Sequence, residues 1–453
     1  MAQEAAVLTV PAALSSSSRL NLGDPGLGVV STLKRHPPLR SDSLIDLFKG
    51  FMMRHRYDCA PLIRLLALTT VLFTWSASAL AAPKYQVLHA FGNGNDGAGL
   101  YGGVVRAANG KLYGTTGGGG LYRYGTVWQL TPQANGKWSE KVLENFKVND
   151  PRGDEPTGTL TLDPAGNLYG STIRDGGPYT AGTVFEMQPS SKGWAFKVIH
   201  RFGKNDPANG PHGGVIMDQT GNLYGVGGCG FELSPDSDGW KETILHCFPA
   251  FQGDGSGVVD RPILDSAGNL YGTTEQGGTS KNCGGGCGTA FKLHQMADGH
   301  WEETILHDFG APMDGSYPAG ELAIDAAGSL YGTTCCYGNL FELSPQSDGH
   351  WKETILHRFR AHAGGGYPAS VVKDAKGNLY GTTGFGGGPC DCGVIYELSP
   401  QSNGTWKYTV LYQFNGYDGT GSGLPMIFDE KGNLYGTGGG GAYNLGVVFE
   451  FTP

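Results

Sequence analysis

Few groups in this 453-residue chain have the type and spacing to do chemistry. Asp260 and Arg261 stand side by side, Glu321 follows downstream, and His212 precedes them. Two carboxylates with an arginine and a histidine are a set that a carbohydrate-active hydrolase or lyase could use, one acid protonating the leaving oxygen and the other acting as base or nucleophile. The plainer reading is an Arg261–Glu321 ion pair, since a charge on a buried strand is expensive unless it is paired. No nucleophile elbow, P-loop, dinucleotide fingerprint or zinc motif accompanies the set. A non-catalytic binding protein is therefore expected, with the enzyme using Glu321, Asp260, Arg261 and His212 as the alternative.

A second set consists of aspartates followed by glycine: Asp96, Asp254, Asp314 and Asp418, with Asp154-Glu155 in the corresponding place of another unit. Asp-Gly is ordinary turn chemistry. A ring of such carboxylates could also hold Ca²⁺ or a polyol. The neighbouring aromatics Tyr317, Tyr367, Phe385 and Tyr417 could stack on sugar rings or pack loops. Ligand contacts are expected at Asp96, Asp254, Asp314, Tyr317, Tyr367 and Asp418, with no cofactor and Ca²⁺ as the one ion considered. The repeated histidines His89, His200, His246, His307 and His357 read as structural.

Eight cysteines lie downstream of residue 82: Cys229, Cys247, Cys283, Cys287, Cys335, Cys336, Cys390 and Cys392. An even count favours disulfides in an exported chain. Cys229 begins one expected strand and Cys247 ends its antiparallel neighbour, so they face one another. Cys283 with Cys287 and Cys390 with Cys392 could each close a loop, whereas Cys335 with Cys336 would need a vicinal bridge. C-x₂-C spacing is missing, so no metal is expected here.

The elements that position these groups come from one recurring phrase. Gly110-Lys111-Leu112-Tyr113-Gly114 returns in seven copies, whose tyrosines are Tyr113, Tyr169, Tyr224, Tyr271, Tyr331, Tyr380 and Tyr435. A period near 50 residues with strand-like content predicts propeller blades. In the fifth unit, strands are predicted at 318–325, 329–334, 338–345 and 350–359, with the turn at Asp325–Gly328 capped by the aspartate side chain. The last unit stops after its third strand, at Val447 to Pro453, and Tyr85 to Phe91 matches a fourth strand. An all-β, seven-bladed β-propeller of four-stranded blades is expected, its last blade closed three-plus-one by the N-terminal strand, which leaves no open edge.

The units, read as GNLYGTT, then GTVFELSP, then W-x-ETILH-x-F and DG, resemble the bacterial GloVer-type tandem repeat of the "choice-of-anchor" exported proteins. Their strand order is similar to that of NHL-type propellers. The resemblance covers about residues 85–453. It implies a fold and an export address but no reaction. Members often carry a C-terminal anchoring segment; this chain stops within a strand, so a soluble exported protein is expected.

The N-terminal part supports export. Basic residues from Met52 to Arg64 precede the apolar run Leu65–Leu80 and the A-x-A pattern Ala79-Leu80-Ala81, which together form a signal peptide over 52–82. Residues 1–51, rich in Ser, Pro and Leu, read as disordered or as lying upstream of the true start. A secreted or periplasmic monomer is expected, without membrane association after cleavage. Its partner would be a glycan or a protein. The formal charge of −9 lacks the basic footprint that nucleic acid requires.

Overall fold

The computed structural model describes residues 83–453 apart from 93–94, 175–180, 250–253, 259, 337, 361–363 and 422. The expectations for residues 1–51 and for a signal peptide at 52–82 lie outside the described residues, as does the side chain of Cys336.

The described residues form no helix, and their strands make seven four-stranded antiparallel blades in a ring. Blade 5 is built from Ser316–Ile324, Leu330–Cys336, Asn339–Pro345 and Trp351–Arg358, in that order from the axis outward. The turn between its first two strands is capped as expected. Asp325 Oδ1 accepts the Ala327 and Ser329 amides at 2.9 and 3.0 Å, while Oδ2 accepts the Tyr331 hydroxyl at 3.0 Å. The signature aspartate and tyrosine are thus bonded partners across one turn.

Chemistry also explains the invariant glycine after that tyrosine. A Cβ on Gly332 would sit 2.6 Å from Cζ of Phe341, whose ring lies across the second strand. Glycine here makes room for the aromatic core of its own blade. Phe341 is fully buried, as are Phe185, Phe231, Phe291 and Phe449 at the same place in other blades. Between blades, the signature tyrosine meets the tryptophan that opens the fourth strand of the next, as in Tyr169–Trp240 and Tyr271–Trp351.

Closure follows the predicted arrangement. Lys84–Ala90 pairs antiparallel with Val447–Thr452, so the N-terminal strand completes blade 7. The fourth strands carry a bulge not foreseen in the sequence. In blade 4 the register slips between Ala290 and Phe291, leaving Leu306 without a direct partner. Leu306 is thereby buried, and His307, the next residue, turns toward the neighbouring blade. A bulge re-aims a side chain in this way because it breaks the two-residue alternation of a strand.

Candidate functional site

Each blade enters from the loop after the previous fourth strand, and these loops share one face of the ring with the turns joining second and third strands. The residue ahead of the first-strand proline is held there in the left-handed region. It is Gly210 in blade 3, at φ +68°, where glycine bears no penalty. In blades 2, 5 and 6 it is Glu155, Tyr317 and Tyr367, at φ +55°, +55° and +54°. A bulky residue in this region costs on the order of 1–3 kcal/mol, and a following proline further favours extended backbone. Hydrogen bonds to the preceding blade hold the conformation: the Glu155 amide donates to the Tyr124 carbonyl at 3.0 Å and the Tyr317 amide to the Cys287 carbonyl at 2.7 Å.

A cavity of about 580 Å³ opens on this face, lined by Tyr101, Glu155, Thr157, Ile173 and His212 among others. Glu155 is ion-paired with Arg174 at 3.0 Å. Tyr101, Tyr367 and Phe385 are each more than half exposed, and the last two meet edge to face at 5.3 Å. Tyr101 and Arg174 were not foreseen, because neither belongs to a repeated column.

The predicted acid set is divided between two places. Arg261 and Glu321 pair at 3.1 Å, with side chains 18% and 14% accessible. They line a cavity of about 390 Å³ together with inner-strand residues of blades 1, 2, 5, 6 and 7, which is the central channel. Arg261 also reaches across to the Leu160 carbonyl at 3.5 Å. Asp260 accepts the Gly320 amide of the next blade at 2.8 Å, and burial pushes its carboxyl up to about 6 against that hydrogen bond. His212 is exposed in the loop-face cavity and lines neither Arg261 cavity. The pair is therefore bonded yet not sealed, and the histidine lies elsewhere.

The Asp-Gly aspartates bond inward. Asp96, Asp254 and Asp314 meet Nε2 of His89, His246 and His307 at 3.3, 3.1 and 3.1 Å, and Asp314 also accepts the Gly310 and Ala311 amides. Asp418 accepts the Tyr412 hydroxyl and the Asn415 amide. Turn chemistry and a histidine contact coexist in the same carboxylate.

A third group completes these clusters, and sequence reasoning missed it. Glu242, Glu303 and Glu353 approach His200, His246 and His307 of the preceding blades at 3.5, 3.4 and 3.8 Å. Asp206, also missed, lies 3.6 Å from His200. The signal was present as a column: the glutamate stands two residues after the fourth-strand tryptophan and four before the histidine. Burial first, and then the nearby aspartate, pushes the carboxyls of Glu303 and Glu353 well above the ordinary range.

Three of the cysteine pairings occur as expected, Cys229–Cys247, Cys283–Cys287 and Cys390–Cys392. Cys229 and Cys247 are direct register partners across their strands. Three such pairs fit an oxidising compartment.

The repeated phrase now has a physical role in every blade. Residues 71–232 match the Gloeobacter/Verrucomicrobia repeat. That match spans the first three of this chain's seven recurring phrases, those of Tyr113, Tyr169 and Tyr224. No curated protein matches. Among solved structures, the chain is similar to virginiamycin B lyase from Staphylococcus aureus, at 16% identity and a TM-score of 0.50, over 82% of this chain and 99% of that one. A luciferin-regenerating enzyme matches at 14% identity and a TM-score of 0.42, over 82% and 96% of the two chains. At such identity the likeness to the lyase shows a common propeller fold and no more.

Proposed function

We propose that this protein is an exported, non-catalytic propeller that binds a glycan at the loop-face mouth of its channel. The observation that carries the reading is the occupancy of one strained position by Glu155, Tyr317 and Tyr367, where glycine would be relaxed. Backbone strain kept at a repeated position points to a use for the side chain it presents. Tyr101, Tyr367 and Phe385 offer aromatic faces to the C–H faces of sugar rings, while Glu155 and His212 offer hydrogen bonds to hydroxyls. The three disulfides agree with export to an oxidising compartment.

The catalytic alternative places hydrolysis or lysis at Glu321, in the channel. It is the weaker reading, because Glu321 is tied to Arg261 and Asp260 to the Gly320 amide. A glycan and polysaccharide binding screen, followed by calorimetry on the best ligand, tests both. Tyr367→Gly is expected to weaken binding at least tenfold while melting within a few degrees of wild type, since glycine relieves the left-handed strain. Unchanged affinity in Tyr367→Gly and Tyr101→Ala overturns the loop-face site. Turnover of the bound glycan that Glu321→Ala abolishes would establish the alternative.

A further inference from the structure

We propose that the junctions between blades 2 and 3, 3 and 4, and 4 and 5 are three copies of one divalent-cation site, suited to a first-row ion such as Zn²⁺. Each is built from a fourth-strand histidine, the loop aspartate after it and a fourth-strand glutamate of the next blade. The sets are His200, Asp206 and Glu242; His246, Asp254 and Glu303; and His307, Asp314 and Glu353. In each, one ligand atom per residue lies within 4.8 Å of the others.

Charge is the first argument. Two carboxylates converge on one imidazole in a half-buried gap, and two adjacent ionised carboxylates repel strongly unless something positive lies between them. A proton relieves half of that charge; a divalent cation with a neutral imidazole balances all of it. The second argument is independent of charge. Oε1 of Glu242, Glu303 and Glu353 is buried without a hydrogen-bond partner, and the Glu303 side chain is nine-tenths buried with its Oε2 3.4 Å from His246 Nε2. A buried acceptor without a donor is costly, and Oε1 of Glu140, in the same column at the junction of blades 7 and 1, is left in the same state.

The donor set names the ion class. One imidazole nitrogen with two carboxylate oxygens suits zinc and its neighbours, whereas Ca²⁺ takes six to eight oxygens and Mg²⁺ rarely enters such a cage. Three protein ligands leave a fourth position for water. Three of the remaining junctions differ in kind: Phe196, Tyr408 and Tyr85 replace the glutamate in blades 2, 6 and 7 and cannot ligate. The junction of blades 7 and 1 keeps the same residue types, His89, Asp96 and Glu140. The cation would tie the outer strands of adjacent blades at the points where loop and bulge meet.

Equilibrium dialysis of the chelator-treated full chain against ZnCl₂, with metal analysis and calorimetry in two buffers, tests the assignment. Zinc is expected at each of these three junctions, so at least three ions per chain should bind. Glu303→Gln should bind one ion fewer than wild type. The triple variant Glu242→Gln, Glu303→Gln, Glu353→Gln should bind three ions fewer than wild type, with circular dichroism like that of wild type because glutamine keeps the size and shape of the side chain. If the triple variant fails to fold, the single variants decide, each lowering the count by one. A wild-type chain that retains no zinc, or a folded variant that retains the wild-type number, overturns the proposal.

Discussion

Tyr408 of blade 6 stacks flat on His357 of blade 5, ring centroids 4.2 Å apart and planes 5° from parallel. The same junction between blades 4 and 5 holds His307 against Glu353. Between blades 6 and 7 it holds Tyr412 stacked on Tyr85 at 4.2 Å, and between blades 1 and 2 it holds Glu144 on Arg152, whose guanidinium lies over Phe196. One geometric position has therefore been solved by hydrogen-bonded polar groups in some places and by stacked rings in others. Each blade interface must bury its strand-four column, and either chemistry fills the gap.

Tyr408→Ala should destabilise the ring by about 3–4 kcal/mol, because a large aromatic packed among His357, Phe359 and Tyr396 is replaced by a cavity. Chemical denaturation would show it. A loss below about 1 kcal/mol would mean the stack is only surface decoration.

Glu140 sits at the junction of blades 7 and 1, beside Asp96. Burial first, then the Asp96 charge, raises its carboxyl from 4.5 to about 7. The folded state therefore holds a proton that the unfolded chain has released. That contribution to stability is fully present below pH 4.5 and is lost as the pH rises through about 7. His89 in the same cluster is lowered by burial, so it favours the neutral ring and works against stability only on the acid side of its ordinary range. Glu140→Gln, permanently uncharged, should lose less melting temperature than wild type between pH 5 and pH 8. Identical slopes for the two proteins would contradict the assignment.

Closure of the ring rests on Lys84–Ala90. Tyr85 donates to the Asp418 carbonyl at 2.6 Å and meets Phe414 and Phe449, while Phe91 is fully buried on Trp128. Phe91→Ala should cost about 3–5 kcal/mol. Deleting residues 84–90 should do more. It exposes the edge of Val447–Thr452, and the protein should melt at a lower temperature and self-associate on light scattering. An unchanged melting temperature in the deletion would show that the seventh blade does not need its borrowed strand.

The glycan and zinc experiments stand apart from these three because they read binding and not stability. Their controls are complementary. Tyr367→Gly leaves the junction glutamates in place, and the glutamine variants leave the loop-face mouth in place.

The repeat made the architecture legible. Seven copies of a Leu-Tyr-Gly phrase, a turn aspartate six residues before each tyrosine of blades 2 to 7, and a spare strand at the front dictate a closed ring, because local pairing and turn chemistry are properties of short segments. The sequence also sufficed to pair Cys229 with Cys247, since antiparallel register brings the start of one strand to the end of the next. Tertiary structure alone decided which side chains of different blades meet. A bulge at Leu306 reverses the facing of His307, and no two-residue alternation could announce that. The left-handed backbone of Tyr317 and Tyr367 is likewise set by hydrogen bonds from the preceding blade and not by tyrosine's own preference. His212 and Arg261 belong to units next to each other in sequence, yet one faces the loop-side mouth and the other the channel. Spacing along the chain fixes a residue's blade and strand, and only the packed ring determines which cavity its side chain enters.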